Sequence, residues 1–424
     1  MIKILDLKKI SISDIINRGS DLPDVSKTVS EIINTIRERG DAALLEYTEK
    51  FDGASLAALE VSEEEKALAR QELEPEFLQI LEEAAENIRF YHSRQVRTGY
   101  ELERENGVIL GQRVLPLARV GLYIPGGTAS YPSSVLMNCI PAKLAGVGEI
   151  VMVTPPDKNG KINSGILAAA QVAGVDRILK CGGAQAVAAL AYGTESVPRV
   201  DKIVGPGNVY VAEAKRQVFG QVDIDMIAGP SEILIVADDN SSPRLLAADM
   251  LSQAEHDTLA SAVLVTTSES LAQQVSAELE LQLKQLPREE IARKSIDNNG
   301  KIIIADSLET AIEISNSIAP EHLELCVDKP FDYLNRITNA GSIFLGRSCP
   351  EPLGDYFAGT NHTLPTGGTA RFSSPLSVDD FVKKSSYMYY TEEALNAVGD
   401  KVACFAEKEG LHAHALSAVS RKKQ

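Results

Sequence analysis

From Val114 onward, short β-branched runs alternate with segments of helical length, and no other feature restricts the fold of this chain as tightly. Glu149–Thr154, Arg177–Lys180, Lys202–Val204, Glu232–Ala237, Ala262–Thr267, Lys301–Ala305 and Ser342–Leu345 read as strands. Ser164–Ala173, Ala184–Tyr192, Val209–Val218, Leu245–Ala254, Leu271–Leu286 and Leu308–Ser317 read as the helices between them. Strands spaced by helices of this length pair in parallel through right-handed crossovers. The pattern runs through two rounds, before and after Ala228-Gly-Pro-Ser231, which predicts an α/β fold of two parallel-sheet units.

The flanks differ in character. Residues 1–110 are charge-rich and helical in pattern. Ser62-Glu-Glu-Glu65 has the form of a capping box, with Ser as N-cap and Glu three residues on. The helix it opens runs to about Tyr91, and Pro75 divides it. The segment after residue 375 reads as a small helical appendage with a solvated Arg-Lys-Lys tail.

The formal net charge is -17, which repels nucleic-acid backbones and anionic membrane surfaces and points to a small-molecule substrate. An anionic cofactor would have to be held locally by backbone N–H groups. The five cysteines, Cys139, Cys181, Cys326, Cys349 and Cys404, are widely spaced, with no CxxC, as expected of reduced thiols in a cytoplasmic protein. The segment Met1–Ile10 has no apolar core of a signal peptide. The least polar stretch, Cys181–Gly193, is too short to span a bilayer.

The chain lacks G-x-G-x-x-G, so any dinucleotide would be held without the usual fingerprint turn. Three Gly-rich turns fall where strands should end: Tyr123-Ile-Pro-Gly-Gly127, Gly182-Gly-Ala-Gln185 and Gly205-Pro-Gly-Asn208. Ligands of open parallel sheets sit at such ends, where Gly admits close backbone approach. Any one of these turns could be ordinary turn chemistry. Three in one unit, each beside an amide or a phenol, suggest a ligand site.

Histidine is scarce, with six residues, and His92 lies in a polar helix where exposure suffices to explain it. Gln253-Ala-Glu-His256 ends a predicted helix, and positions three apart share a face, so the Gln oxygen and a His nitrogen converge. Leu246 and Met250 would anchor that face. Gln is an uncommon metal ligand, so the pair alone does not establish a metal. Pro320-Glu-His-Leu323 sets an acid beside a His just before a strand, a pair suited to general acid–base work or simply a solvated loop. The loop from Gly354 to His362 carries Asp355, Asn361 and His362 without apolar periodicity. Glu409, His412 and His414 cluster near the end of the chain. The two His diverge by about half a turn on a helix, so one at most serves a common site. Cys139 and Cys181 show no neighbouring base that would make either a nucleophile.

Taken together, these segments resemble the histidinol dehydrogenase family, over nearly the whole chain. The resemblance is densest at Val120–Gly127, Gly182–Ala186, Val204–Asn208, Ala228–Glu232, Leu251–His256, Pro320–Leu323 and Gly354–Thr366. It implies oxidation of L-histidinol through the aldehyde to L-histidine with two NAD molecules. It implies one Zn2+ per subunit on Gln253, His256, Asp355 and His414, with zinc positioning the substrate. Glu321 and His322 match the catalytic pair. His322 would take the hydroxyl proton, and Glu321 would activate water in the second half. Tyr123, Gln185 and Asn208 match NAD-contacting positions. Ser231 and Glu409 match substrate contacts, beside Gln253, His256, His322, Asp355 and His414. His362 falls in a matching stretch with a supporting role at most.

The resemblance also implies two incomplete Rossmann-like α/β domains with small terminal appendages. The N-terminal appendage would cover 1–20. One α/β domain, with the metal and catalytic residues, would combine 21–122 and 232–375, and the NAD-contacting domain would cover 123–231. The C-terminal appendage, 376–424, would cross to the partner of an intertwined homodimer, so that Glu409 and His414 act in trans.

Overall fold

The computed structural model describes residues 2–7, 23–126 and 130–421. Along the chain its strands are β1 (Lys3–Asp6), β2 (Tyr100–Arg104), β3 (Val108–Pro116), β4 (Arg119–Tyr123), β5 (Glu149–Thr154), β6 (Arg177–Lys180) and β7 (Lys202–Val204). There follow β8 (Asp223–Ile224), β9 (Glu232–Ala237), β10 (Ser261–Thr266), β11 (Lys301–Ile304), β12 (His322–Cys326), β13 (Ser342–Leu345) and β14 (Val382–Tyr389).

Two sheets are wholly parallel. One has the order β6-β5-β4-β7-β8 and the other β1-β11-β10-β9-β12-β13. In the larger sheet, β9 shows why the strand signal is so strong. Ile233, Ile235 and Ala237 pack on one face with the helices Pro243–Ala254, Glu269–Leu283 and Glu289–Asn299. Leu234 and Val236 pack on the other with the helix Leu308–Ile318. A strand covered on both faces needs apolar side chains at every position, not at alternate ones. In the smaller sheet, Val151, Val153, Leu179 and Ile203 pack against the helices Gly183–Tyr192, Val209–Val218 and Ser26–Asp52.

The capping box at Ser62 forms as expected: Ser62 Oγ accepts from Glu65 N–H at 3.2 Å and Glu65 Oε2 accepts from Ser62 N–H at 2.9 Å. Pro75 does divide the helical run, as the first residue of the helix Pro75–His92. Other expectations change. β4 carries the start of the smaller sheet back to Arg119. β1 sits at the edge of the larger sheet, paired with β11, while most of the expected N-terminal appendage lies outside the described residues.

Contacts divide the chain into two units. Both parallel sheets fall in Met1–Gln95 with Ala118–Phe381, and the rest is Val96–Leu117 with Val382–Gln424. The second unit is an antiparallel sheet, β14-β3-β2, with the helices Glu392–Lys408 and His412–Val419. The C-terminal segment is therefore not purely helical. β2 is exposed along its whole length and β14 nearly so; β2 alternates for only four residues, Tyr100 to Glu103, and β14 shows no apolar alternation that would mark a strand. No helix of the described residues is long and apolar enough to cross a membrane.

Candidate active site

The carboxyl ends of the smaller sheet and the amino ends of the larger one border a single cavity of about 840 Å³. Pro125 and Gly126 enter it after β4, Pro206, Gly207 and Asn208 after β7, and Asp225, Met226 and Ile227 after β8. Ser231 enters before β9, His256 and Asp257 before β10, and Glu321 and His322 at the start of β12. The Gly-rich turns thus obey the carboxyl-end rule, whereas the acid–base pair lies on the opposite edge of its sheet.

The helix Leu308–Ile318 ends on Ala319, which adopts a left-handed conformation (φ 52°) that few residues other than Gly accept. That turn delivers Pro320 and Glu321, whose carbonyls accept from Gly341 N–H and Ser342 N–H at 2.9 Å each. Both functional side chains are then tied to one residue of the neighbouring strand. Glu321 Oε2 accepts from Glu232 N–H at 2.8 Å, and His322 Nδ1 donates to Glu232 carbonyl oxygen at 2.9 Å. That bond assigns a ring proton to Nδ1, so Nε2 is the nitrogen that carries the lone pair when the ring is neutral. Nε2 is buried without a hydrogen-bond partner, 3.6 Å from Glu351 Oε1 and 3.6 Å from Asp355 Oδ1.

Burial pushes the Glu321 carboxyl up to about 7, although the His322 charge opposes the rise. Burial disfavours a charged His322, but Glu321, Asp355 and Glu351 outweigh it and hold the ring's pKa well above its ordinary value. Burial also opposes the charge on Asp355, yet the facing His322 ring and His362 keep that carboxyl well below the usual range. Burial lowers the pKa of His256, which favours a neutral ring with a lone pair to donate.

Gln253 and His256 both line the cavity, Gln253 from the helix and His256 from the turn after it. The helix Pro243–Ala254 buries Leu246 and Met250 and brings Gln253 to the cavity wall. His256 N–H donates to Gln253 carbonyl oxygen at 3.1 Å in the turn that follows. Asp355 projects from the short helix Glu351–Tyr356 into the same cavity. His362 lines it too, with Nδ1 bonded to Asp355 carbonyl oxygen at 3.1 Å and Nε2 to Ser134 Oγ at 3.2 Å.

Of the three positions matched to NAD, Asn208 lines the cavity and Tyr123 and Gln185 do not. Asn208 Oδ1 caps the helix Val209–Val218, accepting from Tyr210 N–H at 3.0 Å and Val211 N–H at 3.2 Å. Tyr123 and Gln185 are buried, and the Tyr123 hydroxyl accepts from Gly183 N–H at 3.0 Å. Gly205 holds the turn before Asn208 at φ 113°, and a Cβ there would lie 2.1 Å from Tyr123 carbonyl oxygen. Lys215 and Asp225, an ion pair with side chains 2% and 1% exposed, grip this turn. Lys215 Nζ donates to Gly205 carbonyl oxygen at 3.0 Å, and Asp225 Oδ2 accepts from Gly205 N–H at 2.7 Å.

Glu409 and His414 belong to the second unit, where both are exposed. His412 pairs there with Glu407. Sequence reasoning missed Glu324 and Glu351. Burial pushes Glu324 up to about 9, with neighbouring Asp249 adding to the rise, and Glu351 up to about 8. The signal for Glu324 was present, since strand alternation puts it on the face of His322. Cys139, Cys181 and Cys326 are buried and free.

A family model described as histidinol dehydrogenase matches residues 16–422. A histidinol dehydrogenase of Clostridium acetobutylicum is 58% identical over 406 residues, 96% of this chain and 94% of the relative. One from Bacillus cereus is 59% identical over 391 residues, 92% of this chain and 91% of the relative. The crystal structure of histidinol dehydrogenase from Elizabethkingia anophelis matches with a TM-score of 0.94 at 40% identity, covering 99% of this chain and 98% of that one.

Proposed function

The chain belongs to the histidinol dehydrogenase family, and from that membership we propose that it oxidises L-histidinol through histidinaldehyde to L-histidine, reducing two NAD+. The observation that carries the reading is the double tie to Glu232, which sets Glu321 and His322 side by side with Nε2 free toward the cavity. His322 takes the hydroxyl proton at Nε2 while hydride leaves the carbinol carbon for the nicotinamide. Glu321 then takes a proton from the water that attacks the aldehyde, and the hydrate releases the second hydride.

Gln253, His256 and Asp355 all line the cavity and offer two oxygens and a neutral ring nitrogen, a donor set that suits zinc. His414 of the partner subunit would complete the set, with Glu409 of the partner subunit beside the substrate. Zinc, when bound, would hold the substrate's imidazole and amino groups and offset part of the carboxylate charge that keeps His322 protonated. Ser231 would contact the substrate. Asn208 would contact NAD from the cavity wall, and Tyr123 and Gln185 would hold the turns around it from beneath. The five free cysteines support a reducing, cytoplasmic setting for this homodimer.

The test is NADH formation from histidinol and NAD+, abolished by a strong chelator and restored by zinc. Zinc-loaded protein that makes no NADH from histidinol overturns the proposal, and faster turnover of another amino alcohol reassigns the substrate.

A further inference from the structure

Beneath the cavity lies a layer of carboxyl groups that the proposed reaction does not use. Asp249 sits one turn before Gln253, Glu324 two residues beyond His322 on β12, and Glu351 one turn before Asp355. Three elements that carry site residues therefore each carry a further acid, and those on β12 and the helix Glu351–Tyr356, Glu324 and Glu351, are buried. Glu351 is the member that reaches back toward the cavity. Its Oε2 accepts from Ser252 Oγ at 3.2 Å, and its backbone N–H donates to Glu324 Oε1 at 2.8 Å. Its Oε1 is buried and has no hydrogen-bond partner.

That oxygen faces His322 Nε2, another buried atom of the site without a hydrogen bond, at 3.6 Å. Asp355 Oδ1 lies 3.6 Å from the same nitrogen, and the three ligand atoms are all within 4.8 Å of one another. At 3.6 Å these carboxylates attract a protonated ring but stand too far off for a hydrogen bond. They are instead at the spacing of ligands around one ion: tetrahedral donors about 2.1 Å from a zinc lie about 3.4 Å apart. His322 has the tautomer a ligand needs, with Nδ1–H held by a backbone carbonyl. Glu351 and Asp355, when ionised, would neutralise a divalent cation.

We propose that His322, Glu351 and Asp355 form a second divalent-cation position, which shares Asp355 with the Gln253–His256 position and shuts the enzyme off when filled. An ion there occupies the lone pair with which His322 takes the substrate's proton, so catalysis and occupancy exclude each other. Two ions bridged by Asp355 would stand at the ~3.5–4 Å separation of known two-metal sites. This inference rests on the metal reading of the proposed function.

The test is to strip the full-length protein of metal, titrate it with Mn2+, and count bound ions by equilibrium dialysis with Mn2+ electron paramagnetic resonance. The wild type should bind two ions per chain, the second more weakly, and Glu351→Gln should bind one. Gln253→Ala reports on the first position, so loss of its tighter ion tests the proposed function separately. With Zn2+, excess metal should lower kcat of the wild type while KM for NAD+ stays constant, and Glu351→Gln should lose that inhibition. One ion per wild-type chain, or two ions retained in Glu351→Gln, overturns the proposal. If circular dichroism shows that Glu351→Gln is misfolded, His322→Asn is counted in its place, and retention of two ions there has the same force.

Discussion

His322 and Glu232 are joined ring to backbone, Nδ1 to carbonyl oxygen at 2.9 Å, across two neighbouring parallel strands. Because a backbone carbonyl does the holding, no side-chain substitution at position 232 can remove it. The ring therefore meets the cavity with one fixed tautomer. Replacing His322 with Ala should lower kcat by ~10²–10⁴-fold, the usual contribution of a general base. Metal content measured by atomic emission should show the tighter ion retained, since Gln253, His256 and Asp355 are untouched. A variant with wild-type kcat would remove His322 from the chemistry.

Glu321 should set the pH dependence of the second half-reaction. A base works only when ionised, and burial pushes this carboxyl up to about 7. Oxidation of histidinaldehyde should therefore rise with pH through about 7 and level off above it. Glu321→Gln should flatten that rise and slow aldehyde oxidation by ~10²–10⁴-fold, while histidinol is still converted to the aldehyde. Stopped-flow NADH traces started from each substrate would separate the two halves. An unchanged aldehyde profile in Glu321→Gln would assign the water activation elsewhere.

The parallel sheets were legible in the sequence because burial on both faces forces continuous apolar runs such as Ile233 to Ala237. The spacing of Gln253 and His256 suggested a shared helical face; both do line the cavity, but His256 does so from the turn beyond the helix. β2 and β14 were not legible, because strands exposed on both sides need no apolar residues. That Glu321 and His322 sit at the start of a strand was legible, but that this edge faces the carboxyl ends of the other sheet was not, since it depends on how two sheets meet. Glu351 stayed hidden for a related reason. Its four-residue spacing from Asp355 matters only because the helix Glu351–Tyr356 packs where His322 and Gln253 converge.

The buried cysteines should prove chemically silent. Burial pushes the Cys139 thiol up to about 12, and Cys181 and Cys326 rise further for the same reason. The thiolate is the reactive form, so almost none is present at neutral pH. Iodoacetamide should leave all three unmodified in the native protein and label them after denaturation, as read by mass spectrometry. Cys139→Ala should retain NADH formation within a few-fold. Loss of activity beyond the loss expected from a ~1 kcal/mol packing defect would reopen a thiohemiacetal route through this residue.

The Lys215–Asp225 pair should couple stability to cofactor affinity. It bonds the carbonyl and the N–H of Gly205, which begins the turn whose Pro206, Gly207 and Asn208 line the cavity. Lys215→Met leaves Asp225 buried and uncompensated, which typically costs about 3–5 kcal/mol. Adding Asp225→Asn removes the stranded charge and keeps an oxygen that can accept from Gly205 N–H, so the double variant should recover part of that loss in urea melts. The turn would still lack its grip on the Gly205 carbonyl. KM for NAD+ should therefore stay raised in both variants, with kcat at saturating NAD+ much less affected, because His322 and Glu321 hang from the other sheet. A double variant with wild-type KM for NAD+ would reduce the pair to a purely structural role.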